Sequence, residues 1–220
     1  NKCHCQFEQR STKTKVFYMK KPLYIFGDSY VDLGFDRGAI GERMWVRQLS
    51  KTFDTRNFGL RGTGPDWNLH QLIEHLPNHK PHLLYIGTEI NRLNLRNTQP
   101  TQQAMLKNQY GSGRMAIIFD ELISMPEWQL TESVKCLSAV ASLAHHFDRV
   151  LYFGSDTISQ SVLNIVNIPH NMHVSNYAMT PLSISEPEYA SVSGPDHRSN
   201  HYTEYNHDML TQYSEEYFNA

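Results

Sequence analysis

Short apolar runs closed by glycine recur along this chain, and stretches with helical spacing lie between them. Pro22-Leu23-Tyr24-Ile25-Phe26 ends at Gly27, His82–Ile86 at Gly87, and Val150–Phe153 at Gly154. Runs of that length bounded by glycine predict buried strands. Phe53–Phe58, leading into Gly59-Leu60-Arg61-Gly62-Thr63-Gly64, predicts another. Ile40–Leu49 reads as a helix through Met44, Trp45 and Leu49. Pro65 opens the next one, since proline suits a first turn, and Trp67, Leu69, Leu72, Ile73 and Leu76 fall on one face. Thr131 is expected to cap a long helix bearing Val134, Leu137, Ala141 and Ala144. A last helix is expected from about Thr203 to Phe218, with Tyr205, Met209, Tyr213 and Tyr217 at helical spacing. Residues 97–130 and 155–195 are poorly periodic, and Gln99–Gly113 reads as a long loop able to cover a site.

Strands alternating with helices predict an α/β fold with a parallel, doubly wound sheet, because each crossover needs a covering helix. Ligands of such sheets sit beyond the carboxyl ends of the strands. Ser29, Gly62, Gly87 and Gly154 each follow a predicted strand and should share that rim.

Composition narrows the setting. With 220 residues, the chain is read as one domain over residues 19–220, long enough for a sizeable core. Apolar residues make up 40% and the mean hydropathy is −0.52. No window approaches the roughly 18 consecutive apolar residues of a spanning helix. A net charge of −2 gives no argument for nucleic acid or an anionic membrane as partner. Cys3, Cys5 and Cys136 do not form a disulfide framework. With no secretory signal seen, a cytoplasmic setting is expected. Residues 1–18 are polar and basic, and are read as a disordered or non-native extension ahead of Met19.

Candidate chemistry centres on Gly27-Asp28-Ser29. A serine on the turn after a buried strand is lifted toward solvent, and a helix starting there aims backbone N–H groups at developing negative charge. Serine needs a base, and the best window is Gly194-Pro195-Asp196-His197-Arg198-Ser199-Asn200-His201, ahead of the last helix. Gly-Asp-Ser after the first strand, a glycine turn after the second, and Asp plus His before the C-terminal helix resemble the GDSL/SGNH hydrolase family, in that order, over Pro22 to about Phe218. The resemblance implies a three-layer α/β/α fold with a flavodoxin-like parallel sheet of about five strands. It implies Ser29 as nucleophile, His201 as general base (His197 as runner-up) and Asp196 as its orienting acid. Asn57-Phe58-Gly59-Leu60-Arg61-Gly62 is similar to the second block, making Gly62 an oxyanion donor. The third block normally reads Gly-x-Asn-Asp, but here it is Gly87-Thr88-Glu89-Ile90-Asn91-Arg92. Glu89 stands at the asparagine position, while Asn91 and Arg92 are the other candidates. Asp28, Glu89 and Arg92 are expected to line the substrate.

The expected activity is hydrolysis of a small ester, a short acyl or a glycan O-acetyl group, without cofactor or metal. The alternatives are an O-acyltransferase and a non-catalytic binding protein on the same scaffold. Asp32 and Asp36 are read as solvated loop residues, and Trp45 and Trp67 as core. The pairs His79/His82, His145/His146 and His170/His173 are read as surface histidines, scattered without partners at ligand spacing. Gly59-x-x-Gly62-x-Gly64 lacks the Gly-Lys-Ser/Thr of a phosphate loop and the Rossmann spacing.

Overall fold

Alternate residues of the first strand serve two cores. Leu23 and Ile25 pack with Trp45, Val46, Leu49, Leu210 and Phe218, whereas Tyr24 and Phe26 pack with Leu72, Leu137, Val140 and Val162. Such a strand is buried on both faces, which is why it reads as an unbroken apolar run. The computed structural model describes residues 19–35, 41–88, 121, 124–186 and 202–220. Its strands are β1 (Pro22–Phe26), β2 (Asp54–Asn57), β3 (His82–Ile86), β4 (Val150–Gly154) and β5 (Met172–Ala178). They form one parallel sheet in the order β2-β1-β3-β4-β5. This is the flavodoxin-like order, and it turns back at β1/β3.

Helices α1 (Trp45–Thr52) and α6 (Glu204–Asn219) cover one face of the sheet. On the other lie α2 (Pro65–Glu74), α3 (Pro126–Leu143) and α4 (Gln160–Ile165). A short helix, α5 (Met179–Ile184), follows β5 directly. The three-layer expectation therefore holds, with local corrections. In place of a helix over Ile40–Leu49 there is a 3₁₀ turn at Gly41–Arg43 and then α1. Helix α3 begins at Pro126, so Thr131 lies inside it and its hydroxyl donates to Glu127 O instead of capping. In α6, Tyr205 is exposed, and the fully buried stripe runs through Leu210, Ser214 and Phe218. The poorly periodic stretch 155–195 contains α4, β5 and α5. Residues 1–18, Asp36 and the expected loop Gln99–Gly113 lie outside the described residues. No helix among the described residues is long and apolar enough to cross a membrane.

His82 corrects the surface reading of its pair. It is 1% exposed, stacked on Phe218 at 4.9 Å between ring centroids and edge-on to Phe53. Burial foremost, then the charge of Lys21, lowers its pKa from 6.5 to about 4, with Asp148 opposing. Between those values the unfolded chain binds a proton that the folded one does not. The contribution is therefore complete above pH 6.5 and is lost as pH falls toward 4. Protonation costs the fold on the order of 2–3 kcal/mol across that window. Urea midpoints at pH 7.5 and 4.5 should accordingly fall less steeply in His82→Leu than in the wild type. Equal pH slopes would contradict this assignment.

Candidate active site

The turn after β1 is set by close approach. A Cβ at Gly27 would lie 2.8 Å from both Ile86 Cβ and Val31 Cγ2, so only glycine lets the chain leave the sheet there. The carbonyl of Asp28 then accepts from the N–H groups of Val31 and Asp32, each at 3.1 Å, and its Oδ1 accepts from Tyr30 N–H at 3.2 Å. This is a single helical turn begun by an Asx cap. Ser29 sits in its first position, 6% exposed, at the carboxyl end of β1. Asp28, expected to line the substrate, is fully buried and shapes this turn.

The loop after β2 is stitched onto that turn. Phe58 N–H donates to Ile25 O at 2.8 Å and Leu60 N–H to Gly27 O at 3.1 Å. Asn57 clamps the junction from both of its amide ends: Nδ2 donates to Val31 O and Oδ1 accepts from Gly59 N–H, each at 2.8 Å. Asp32 is a buried link rather than a solvated loop residue, accepting from Gly34 N–H at 2.7 Å and Arg61 N–H at 3.1 Å. Residues 60–63 form a β-turn closed from Thr63 N–H to Leu60 O at 3.4 Å. Gly62 holds φ 76° at its third position, as a type II turn requires. The Thr63 hydroxyl also donates to Leu60 O at 2.7 Å, and no hydrogen bond among the described residues uses the Gly62 N–H. Asn68, fully buried in α2, braces the turn through Nδ2 to Thr63 Oγ1 at 3.0 Å.

The β1–β3 register pairs Leu23 with His82 through Phe26 with Tyr85. Thr88, two residues past the end of β3, is buried, and its hydroxyl has no partner among the described residues. Glu89, Asn91 and Arg92 lie outside the described residues, as do Asp196, His197 and His201.

Tyr202 is fully buried, and its hydroxyl donates to Met179 O at 2.9 Å. Its ring stacks on that of Tyr30 with centroids 5.5 Å apart and planes 27° apart. The residue after Ser29 is thus packed against the residue after His201. Glu186 fixes the same segment from the end of α5. Its buried carboxylate accepts from Thr203 N–H at 2.7 Å, from Thr203 Oγ1 at 2.9 Å and from Asn206 Nδ2 at 2.7 Å. A carboxylate there also suits the positive end of α6. Glu186 carries no motif in the sequence, and nothing local marks it. Asn57 was within reach, because it lies inside the second block already singled out.

Away from the rim, a pocket of about 350 Å³ lies where β3, β4 and β5 begin, walled by Lys80, His145, Asp148 and His170 among others. The described residues hold no group of three or more His, Cys, Asp or Glu able to hold a metal ion.

No protein-family model matches the chain, and no curated protein matches it. Among solved structures it is similar to the psychrotrophic esterase EstA from Pseudoalteromonas sp., in a structure inhibited by monoethylphosphonate. Identity is 12% and the TM-score 0.48, over 90% of this chain and 97% of that one. At those values the likeness carries no argument about chemistry, and the fold rests on the sheet order itself.

Proposed function

We propose that this chain is a serine esterase of the GDSL/SGNH type, acting on a small ester of short acyl or glycan O-acetyl character. The observation that carries the proposal is the Tyr30–Tyr202 stack. Consecutive Cα atoms are about 3.8 Å apart, so each ring is tied within one residue to Ser29 or His201. Two segments separated by most of the chain pack together through these rings, which supports assigning Ser29 and His201 to one site.

In this mechanism His201, oriented by Asp196, takes the Ser29 proton as the hydroxyl attacks the ester carbonyl. The Gly62 and Ser29 amides donate to the oxyanion of the tetrahedral intermediate, with Asn91 as a further candidate donor. Glu89 and Arg92 are the residues proposed to border the substrate, with Asp28 shaping the turn behind Ser29. His201 protonates the leaving alcohol, then activates a water that releases the acid and restores Ser29.

The test is hydrolysis of p-nitrophenyl acetate and butyrate by the wild type and His201→Ala across pH. The wild type should favour acetate, with kcat/KM rising with pH as His201 loses its proton, and His201→Ala should lose that dependence. A folded wild type without turnover would contradict the proposal and favour a binding protein on this scaffold. Ester formation with an added sugar acceptor in place of hydrolysis would make the chain an O-acyltransferase.

A further inference from the structure

We propose that Asp32 is a positioning residue for the oxyanion-binding amide of Gly62, an inference that rests on the esterase reading. Asp32 is only 8% exposed, and a buried carboxylate persists where hydrogen bonds replace its water. Its two oxygens have separate partners. Oδ1 accepts from Gly34 N–H at 2.7 Å within its own loop, and Oδ2 accepts from Arg61 N–H at 3.1 Å across 29 residues of sequence.

The second bond is the informative one. Arg61 is the residue before Gly62 and occupies the second position of the type II turn. Holding the Arg61 amide fixes how that turn is rotated about its anchors at Gly27 and Val31. The direction of the Gly62 N–H is fixed with it. Asp32 is also three residues beyond Ser29, and its own N–H donates to Asp28 O. One side chain therefore couples the turn presenting the nucleophile to the turn presenting the donor. A bond from a backbone amide to a carboxylate is stronger than one between neutral groups, which suits a strut.

Charge alone would make Asp32 a hindrance, because an anion beside a developing oxyanion opposes it. Its benefit must therefore come through placement, and the two contributions have opposite signs. Asparagine keeps the shape and one acceptor but gives up the charge and the second acceptor.

The experiment compares p-nitrophenyl acetate with its thionoacetate analogue, whose sulfur is a weak hydrogen-bond acceptor and draws little from an oxyanion hole. Asp32→Asn should lower kcat on the oxygen ester by about 10- to 100-fold with KM within about twofold, since the donor acts on the transition state. On the thiono analogue the loss should stay under about threefold. Arg61→Pro provides an independent variant. Proline is favoured at the second position of a type II turn, so the turn is kept while the N–H that Asp32 accepts is removed, and the same oxygen-selective loss is expected. Equal losses on both esters, or unchanged or raised kcat in either folded variant, would overturn the inference while leaving the esterase reading intact. A wild type inactive on both esters would overturn the esterase reading and this inference with it.

Discussion

Ser29→Ala is expected to lower kcat/KM for p-nitrophenyl acetate by about 10⁴- to 10⁶-fold. In the proposed triad the nucleophile, base and acid would act as one unit, so a Ser29→Ala/His201→Ala double variant should be scarcely worse than either single one. Stability should hardly change. The turn carrying Ser29 is closed by the main chain of Asp28, Val31 and Asp32 and by the Asp28 side chain. Alanine fits that conformation, and the shift should stay within about 1 kcal/mol. A normal urea midpoint with activity reduced by less than about tenfold would assign the nucleophile elsewhere.

Trp45→Ala is expected to produce the largest loss of stability, about 3–5 kcal/mol. Trp45 is fully buried at the start of α1, and its ring meets Phe153 edge-on at 6.0 Å. Its Nε1–H donates to Tyr30 O at 2.9 Å. Truncation opens a cavity between α1 and the sheet and also strips a buried carbonyl of its donor. Domains of this size are stable by only about 5–15 kcal/mol, so urea unfolding should shift strongly toward lower concentration. Since Tyr30 follows Ser29, residual activity should fall below what the folded fraction accounts for. A shift below about 1 kcal/mol would mean that Trp45 is not a packing anchor.

Elements buried on both faces were readable from the chain. β1, β3 and β4 are apolar but for His82 and end at or just before glycine, and Pro65 marks the start of α2 as proline at a first turn does. β5 was missed because Met172–Ala178 is half solvated, with His173, Asn176 and Tyr177 facing outward at the sheet edge. Its composition carries no run, and only its pairing with β4 makes it a strand. Thr131 misled for a related reason. A threonine ahead of an apolar stripe signals a cap, but proline at the first turn and packing of the later stripe set where α3 begins. At the site, the backbone parts were legible as blocks, with Ser29 and Gly62 each one short turn past a strand. The struts were not. Asp32 looks like any polar loop residue until its partner 29 residues away is known, and Glu186 acts on Thr203 across 17 residues without a motif at either end. Single-chain patterns record what a residue is next to in sequence, whereas such bonds are made by the topology.

The proposed role of Ser29 is that of a nucleophile activated by the segment ending at His201. It is tested most directly by treating the folded protein with a fluorophosphonate and locating the adduct by peptide mass spectrometry. Loss of fluoride and a Ser29 Oγ–P bond on the peptide containing Gly27-Asp28-Ser29 is the predicted result, with labelling abolished in Ser29→Ala and slowed in His201→Ala. Labelling at another serine, or none in protein that remains folded, would contradict it.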